Sequence, residues 1–209
     1  TIAIDLRESG KYEEAQEWLN KFVQHNPSNP EALALLSQVL LLDKKVVEAE
    51  KMLKAAATIE PELPSVYRNQ ARLLLTQSKP AEALERALMG CNKSPEDAES
   101  KLVLAACLGA NQRDIEALPL VEEVLKVKPN YAEGYAARAF VKLRLKSTLD
   151  AIKDAEKAVS LKPHLTQIWQ LLGSLYLQSD DLSGAIEALR NGYQNEPKNV
   201  SLMVTLGEL

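Results

Sequence analysis

Proline stands at Pro27, Pro61, Pro95, Pro129, Pro163 and Pro197, every 34 residues without a slip, so six of the chain's 10 prolines share one phase. Proline has no backbone donor and clashes with the preceding helical turn, so it belongs at helix starts and in connections rather than in helix interiors. Each of these prolines therefore marks a break between helices. A fixed period of this length is the signature of a stacked array of helix-turn-helix units.

Small residues keep the same interval. Ala15, Ala49, Ala83, Ala117, Ala151 and Ala185 stand 12 residues before the phased prolines, and Ala3, Ser37, Ala71, Ala105, Ala139 and Gly173 stand 24 before them. Small side chains at two recurrent points let two helix backbones approach closely, and larger neighbours three and four positions away fill the groove between them. Each unit is thus predicted to be a helical hairpin.

The stretch "IWQLLGSLYLQSDDLSGAIEALRNGYQNEP", residues 168–197, combines Trp169, Leu172, Gly173, Tyr176, Ala185 and Pro197. On these residues the sequence resembles the tetratricopeptide repeat family, and the resemblance runs through nearly the whole chain. Other repeats depart from the pattern. Lys101 stands in place of Trp169, Gln70 and Arg138 in place of Leu172, and Lys142 in place of Tyr176. The resemblance implies an all-α, right-handed superhelical solenoid of stacked antiparallel helix pairs. The expected organisation is a single domain over 1–209, with a partial repeat at 1–29 and full repeats at 30–63, 64–97, 98–131, 132–165 and 166–199. Residues 200–209 restart the pattern with Leu206 and Gly207 in phase, so the sequence reads as a segment cut from a longer protein.

Composition is consistent with such an array. Hydrophobic residues make up 46% of the chain, enough for a continuous core, and only 8 glycines argue against long flexible linkers. No apolar run approaches the length needed to span a bilayer, and no signal peptide is visible. The net charge of -4 gives no general reason to expect nucleic acid. The 138–162 stretch is locally basic and 166–209 locally acidic, which reads as solvated helix faces, with Asp150 and Asp154 spaced to pair with lysines one turn away.

Residues able to do chemistry are scattered. His25 and His164 occupy equivalent connections four repeats apart, so no metal site is expected from them. Cys91 and Cys107 are close enough in phase to touch, yet neither belongs to a C-x-x-C pair, and small buried hydrophobes describe them best. Glu96-Asp97 at a helix start and Asp180-Asp181 in a turn fit capping and local backbone satisfaction rather than general acid and base. With no phosphate-binding loop or nucleophile elbow, a non-enzyme without cofactor is expected.

The resemblance implies that the first helix of each repeat lines a concave groove receiving an extended peptide or a partner helix. Helical phase then selects Arg68, Asn69 and Arg72, followed by Leu102, Val103 and Ala106, and then Phe140 and Arg144, as the groove residues. Arginines hold carboxylates bidentately, so an acidic-hydrophobic ligand fits this surface. A competing expectation is that Glu31, Glu99 and Glu133 neutralise the arginines across neighbouring repeats. Asn69, within "YRNQA", stands where the carboxylate-clamp asparagine of co-chaperone members falls, but Ala34, Gln38, Glu99 and Val103 occupy the positions of the other clamp groups. The favoured function is a protein-interaction scaffold. The alternative is a substrate-presenting arm of a larger enzyme or envelope machine of glycosyltransferase or secretion type. Exposed solenoid ends would also allow self-association.

Overall fold

The structure, a computed structural model, describes residues 2–195. Pro197 and the 200–209 restart with Leu206 and Gly207 lie outside the described residues. All regular elements among the described residues are helices, and they gather into two compact units, Thr1–Arg113 and Asp114–Leu209. The first contains α1 (Ile2–Glu8), α2 (Tyr12–His25), α3 (Pro30–Leu42), α4 (Val46–Ile59), α5 (Pro64–Thr76), α6 (Pro80–Lys93) and α7 (Ala98–Ala110). The second contains α8 (Asp114–Val127), α9 (Ala132–Arg144), α10 (Thr148–Leu161), α11 (Thr166–Gln178) and α12 (Leu182–Asn195). Within the expected 98–131 repeat, α7 belongs to the first unit and α8 to the second.

The phased prolines do what their chemistry requires. Pro27, Pro61, Pro95, Pro129 and Pro163 each sit two residues past the end of a second helix, in a short turn. Pro30, Pro64 and Pro80 open α3, α5 and α6, where the missing N–H has no intrahelical partner to lose. Pro119 is the exception, lying inside α8. It is exposed, as is Ile115, whose carbonyl it leaves without an intrahelical donor, so water can reach the gap.

A second periodic device closes each hairpin. Gly10, Lys44, Ser78, Gln112, Lys146 and Asp180, again 34 apart, all have positive φ, between 58° and 74°. In every case the N–H of the next residue returns to a carbonyl of the preceding helix at 2.8–2.9 Å: Lys11 to Leu6, Lys45 to Leu40, Lys79 to Leu74, Arg113 to Leu108, Ser147 to Lys142 and Asp181 to Tyr176. This is a Schellman closure with its left-handed residue supplied by a side chain other than glycine in five of six turns. The sequence conceals it, because only Gly10 carries the usual signal.

The small positions are the crossing points. Ala15, Ala83, Ala117, Ala151 and Ala185 have no measurable exposure, and Ala3, Ser37, Ala49, Ala71, Ala105 and Ala139 are buried with them. Gly173 is more constrained still, since a Cβ there would meet the Leu189 side chain at 2.7 Å. In the first unit α3 packs on α5 and α5 on α7, while α4 and α6 meet chiefly through α5. First helices are therefore closer together than second helices, which places the first-helix face on the inner side of that unit's curve.

Two departures from the repeat pattern explain each other in the second unit. Arg138 and Lys142 on α9 stand where the next repeat has Leu172 and Tyr176, and Asp154 on α10 stands where it has Ala188. Asp154, only 5% exposed, accepts from Arg138 Nε and Nη2 at 2.8 and 2.7 Å and from Lys142 Nζ at 2.8 Å. Burial opposes its ionisation, but these hydrogen bonds and charges outweigh it and hold the carboxyl below its ordinary range. The expected pairing of acids with lysines one turn along holds for Asp150 and Lys153, at 3.4 Å, whereas Asp154 reaches across to the neighbouring helix instead.

Ala151→Leu is expected to overpack its crossing and cost about 1–3 kcal/mol, whereas a change at exposed Glu116 is expected to cost little, as measured by urea melts. Asp154→Ala should cost about 3–5 kcal/mol by stranding two cations, while the triple change Arg138→Leu, Lys142→Tyr and Asp154→Ala should restore or exceed wild-type stability in the same melts.

Candidate functional site

The inner face of the first unit is built from α3, α5 and α7. Arg68, Asn69 and Arg72 follow one another on one side of α5 because residues three and four apart share a helix face. Glu99 opens α7, and Leu102 and Ala106 lie one and two turns further along the same side. Asp97, the N-cap of α7, accepts the Ser100 N–H at 3.0 Å and the Glu99 N–H at 3.3 Å, which fixes the start of the helix and hence the position of Glu99.

Glu99 is the centre of the cluster. Arg7 Nη2 lies 3.0 Å from it, Arg68 Nε 3.3 Å and Arg72 Nη2 3.5 Å, and Gln38 Nε2 donates at 3.2 Å. Arg68 Nη1 also pairs closely with Asp97. Burial opposes ionisation of Glu99, yet the charges of Arg72, Arg68 and Arg7 and the Gln38 hydrogen bond bring its pKa down to about 2. Of the acids expected to neutralise the arginines, Glu99 holds Arg68 and Arg72. Glu31 accepts from Ser65 at 3.2 Å, and Glu133 pairs with Lys162 at 2.7 Å.

Asn69 has a structural task. It is 1% exposed, and its Nδ2 donates to the Ala34 carbonyl at 2.7 Å and to Ser37 Oγ at 3.2 Å, tying α5 to α3. Its Oδ1 accepts from Arg72 Nη1 at 3.0 Å, so it also orients that guanidinium. On α7, Val103 is 6% exposed and packs inward, Leu102 is half-buried and Ala106 is exposed. The open part of this face is therefore the two arginine heads, Leu102 and Ala106. In the second unit Phe140 on α9 is 40% exposed, and Arg144, one turn on, donates from Nε to Asp114 Oδ1 at 2.6 Å.

Sequence reasoning places Arg68, Asn69, Arg72 and Glu99 on one surface and Asp97 at a helix start, but misses Arg7. Arg7 belongs to the short first helix, which offers little pattern to phase, and the sequence gives Gln38 a place near the groove without its role. The remaining reactive groups are quiet. Cys91 and Cys107 are free thiols that burial pushes up to about 11 and about 12, so neither is a nucleophile near neutrality. Among the described residues no group of three or more His, Cys, Asp or Glu side chains is placed to hold a metal, and no helix is long and apolar enough to cross a membrane.

Tetratricopeptide repeat profiles match residues 6–73 and 166–199, and the helix pairs just described continue the same phase between them. The chain is a tetratricopeptide repeat protein. A similar solved structure is a thermophilic tetratricopeptide repeat protein of Thermus thermophilus, with a TM-score of 0.77 at 20% identity over 86% of this chain and 98% of that one. Another is YrrB, described as a tetratricopeptide repeat protein with an unusual peptide-binding site, with a TM-score of 0.55 at 14% identity over 91% of this chain and 98% of that one. Among curated proteins, Hsp70-Hsp90 organizing protein 3 of Arabidopsis thaliana is 23% identical over 203 residues, which is 92% of this chain and 35% of that protein. The chain thus spans about a third of the length of curated relatives it matches. The tetratricopeptide array, all-α and built of stacked hairpins, has the architecture of a protein-interaction scaffold.

Because Glu99 has a lowered pKa in the folded protein, its contribution to stability is complete above pH 4.5 and is lost as pH falls towards about 2. Glu99→Gln is expected to destabilise the protein by about 2–3 kcal/mol at pH 7, and the gap from wild type should close over that acid range in urea melts followed by circular dichroism.

Proposed function

We propose that the chain is a non-catalytic scaffold whose inner, first-helix face binds an extended peptide or partner helix carrying acidic and apolar side chains. The observation that carries this reading is the imbalance of donors around Glu99. Each guanidinium offers five N–H groups, and the acceptors they meet include the two Glu99 oxygens, shared among three arginines and Gln38, together with Glu8 on Arg7, Asp97 on Arg68 and Asn69 Oδ1 on Arg72. Arg68 Nε is buried 3.3 Å from Glu99 without an aligned hydrogen bond. A ligand carboxylate would meet donors already oriented by Asn69 and Glu99, beside the apolar surface of Leu102 and Ala106. In the second unit, exposed Phe140 with Arg144 one turn away offers the same pairing of apolar and cationic groups.

The similar proteins support a protein ligand in kind. One is named for organising two other proteins, Hsp70 and Hsp90, and another for a peptide-binding site. The mode proposed here differs from the co-chaperone clamp, because Ala34, Gln38, Glu99 and Val103 stand at its other positions and Asn69 is engaged with α3. Carboxylates on the ligand would be read by Arg68 and Arg72 instead.

Glu99 is in this reading an internal competitor for the ligand, which shapes the experiment. Removing the arginines alone would leave Glu99 short of partners and destabilise the face, so charge is best removed in balance. Arg68→Gln with Arg72→Gln and Glu99→Gln should weaken binding of a Glu/Leu/Phe-rich nonapeptide by about 2–5 kcal/mol in calorimetry, mostly through faster dissociation. Glu99→Gln by itself should tighten the same peptide. Affinity left unchanged by the triple substitution would refute the assignment of the first unit's face, and affinity left unchanged by Phe140→Ala would remove the second unit's residue from the reading.

A further inference from the structure

The second unit holds a cleft on its opposite, second-helix side, away from the first-helix residues Phe140 and Arg144. It has a volume of about 500 Å³ and lies between α10 and α12 with α11 as its floor. Val159, Leu172 and Ala188 make the base, the rings of Trp169 and Tyr176 make the walls, and Glu156 and Glu187 stand on the two rims. Among the described residues no lysine or arginine lines it.

Both rings are fixed before any ligand arrives. Trp169 Nε1 donates to the Pro163 carbonyl at 2.7 Å, and the Tyr176 hydroxyl donates to Glu156 Oε1 at 2.5 Å. Gly184 keeps the Tyr176 face clear, since a Cβ there would come within 3.1 Å of Tyr176 Cδ1 and 2.6 Å of Asp181 Oδ2. Burial, the Glu156 hydrogen bond and the charges of Glu156, Asp181 and Glu187 all push the Tyr176 phenol upward, so three carboxylates bear on this ring.

The same location in other repeats shows what is special here. In the first unit the corresponding cleft, of about 610 Å³ between α4, α5 and α6, has Lys54 where Glu156 stands, Gln70 for Leu172, Leu74 for Tyr176 and Arg86 for Ala188. That cleft carries its own cations. In the preceding hairpin of the second unit, Arg138 and Lys142 replace Leu172 and Tyr176, and Asp154 receives both. The α11–α12 hairpin alone among these three combines aromatic walls, an uncharged base and acidic rims.

We propose that this cleft is a receptor for a cationic side chain on an apolar stem, an arginine or lysine presented by a basic protein partner. The stem lies on Leu172, Val159 and Ala188, the head passes between the electron-rich faces of Trp169 and Tyr176, and Glu156 and Glu187 receive its charge. Charge complementarity selects this occupant over an apolar one, which would leave the rim carboxylates unmatched, and over an acidic one, which they would repel. The site is distinct from the inner face proposed above, which favours ligands of opposite sign.

The test uses the 209-residue chain labelled with nitrogen-15, whose two tryptophans give separate indole N–H signals. The probes are an acetylated, amidated Gly-Leu-Arg-Leu-Gly peptide and its citrulline counterpart, which has nearly the same shape and no charge. A saturable shift of the Trp169 signal with the arginine peptide is expected, with Trp18 unmoved and the citrulline peptide weaker by about tenfold or more. Glu156→Gln with Glu187→Gln should cost a similar factor, and Glu187→Lys, which imports a charge of the sign found in the first unit's cleft, should abolish the shift. Both positions changed are exposed rim carboxylates, so folding is checked simply by unchanged helicity. Equal binding of the citrulline peptide, or a Trp169 signal that stays still at millimolar arginine peptide, overturns the proposal. So does concentration-dependent broadening of that signal without peptide accompanied by dimer in sedimentation, because a second copy would then be the occupant.

Discussion

The near-contact of two helix backbones at a small side chain is the interaction on which everything else in this protein rests. Alanine contributes little burial energy of its own, and its value is the space it leaves. With Ala151 fully buried at its crossing, Ile152, Ala155 and Val159 on α10 join the larger Ile168, Leu171, Leu172 and Leu175 of α11 in one buried cluster. At Gly173 the allowance shrinks to nothing, because Leu189 occupies the room that a single methyl group would need. The hairpin geometry is thus set by absence of bulk at two points per repeat, and side chains elsewhere are comparatively free to vary.

That freedom is visible in how charge enters the interior. Asp154 and Glu99 are both carboxylates withdrawn from water, and each is met by more than one cation drawn from another helix. A single partner would scarcely offset desolvation, whereas two or three with directed hydrogen bonds do. The two clusters differ in consequence. Asp154 is consumed by its bidentate arginine and lysine and acts as packing, while Glu99 is spread thinly over longer contacts and leaves donors on an accessible face.

Much of the fold was legible in the sequence because backbone constraints repeat with a fixed interval. Pro27 through Pro163 and the buried alanines fall where their phase puts them. The left-handed turn residues were not legible, since Lys44, Ser78, Gln112, Lys146 and Asp180 are ordinary as letters and only their shared phase betrays them. The site was legible only by face. Helical phase put Arg68 and Arg72 side by side and named Glu31, Glu99 and Glu133 as neutralisers, of which Glu99 meets both arginines, but phase within one helix says nothing about rotation relative to the next, so Val103 turned inward and Asn69 was spent on α3. Contacts over longer separations, such as Arg7 to Glu99, leave no local trace.

The left-handed turns also bear on how the chain is cut. Lys44 and Lys146 are exposed and basic, the residues a trypsin-like protease selects, yet each is held at a φ of 61° by backbone hydrogen bonds on both sides. Such proteases bind their substrates extended, so surface access at these lysines is not enough. Cleavage there requires the hairpin closure to open first, and it proceeds in proportion to the population of the opened repeat. Nicking at Lys44 and at Lys146 therefore serves as a separate gauge of local opening for one hairpin in each unit, supplied by the same residues that close those hairpins.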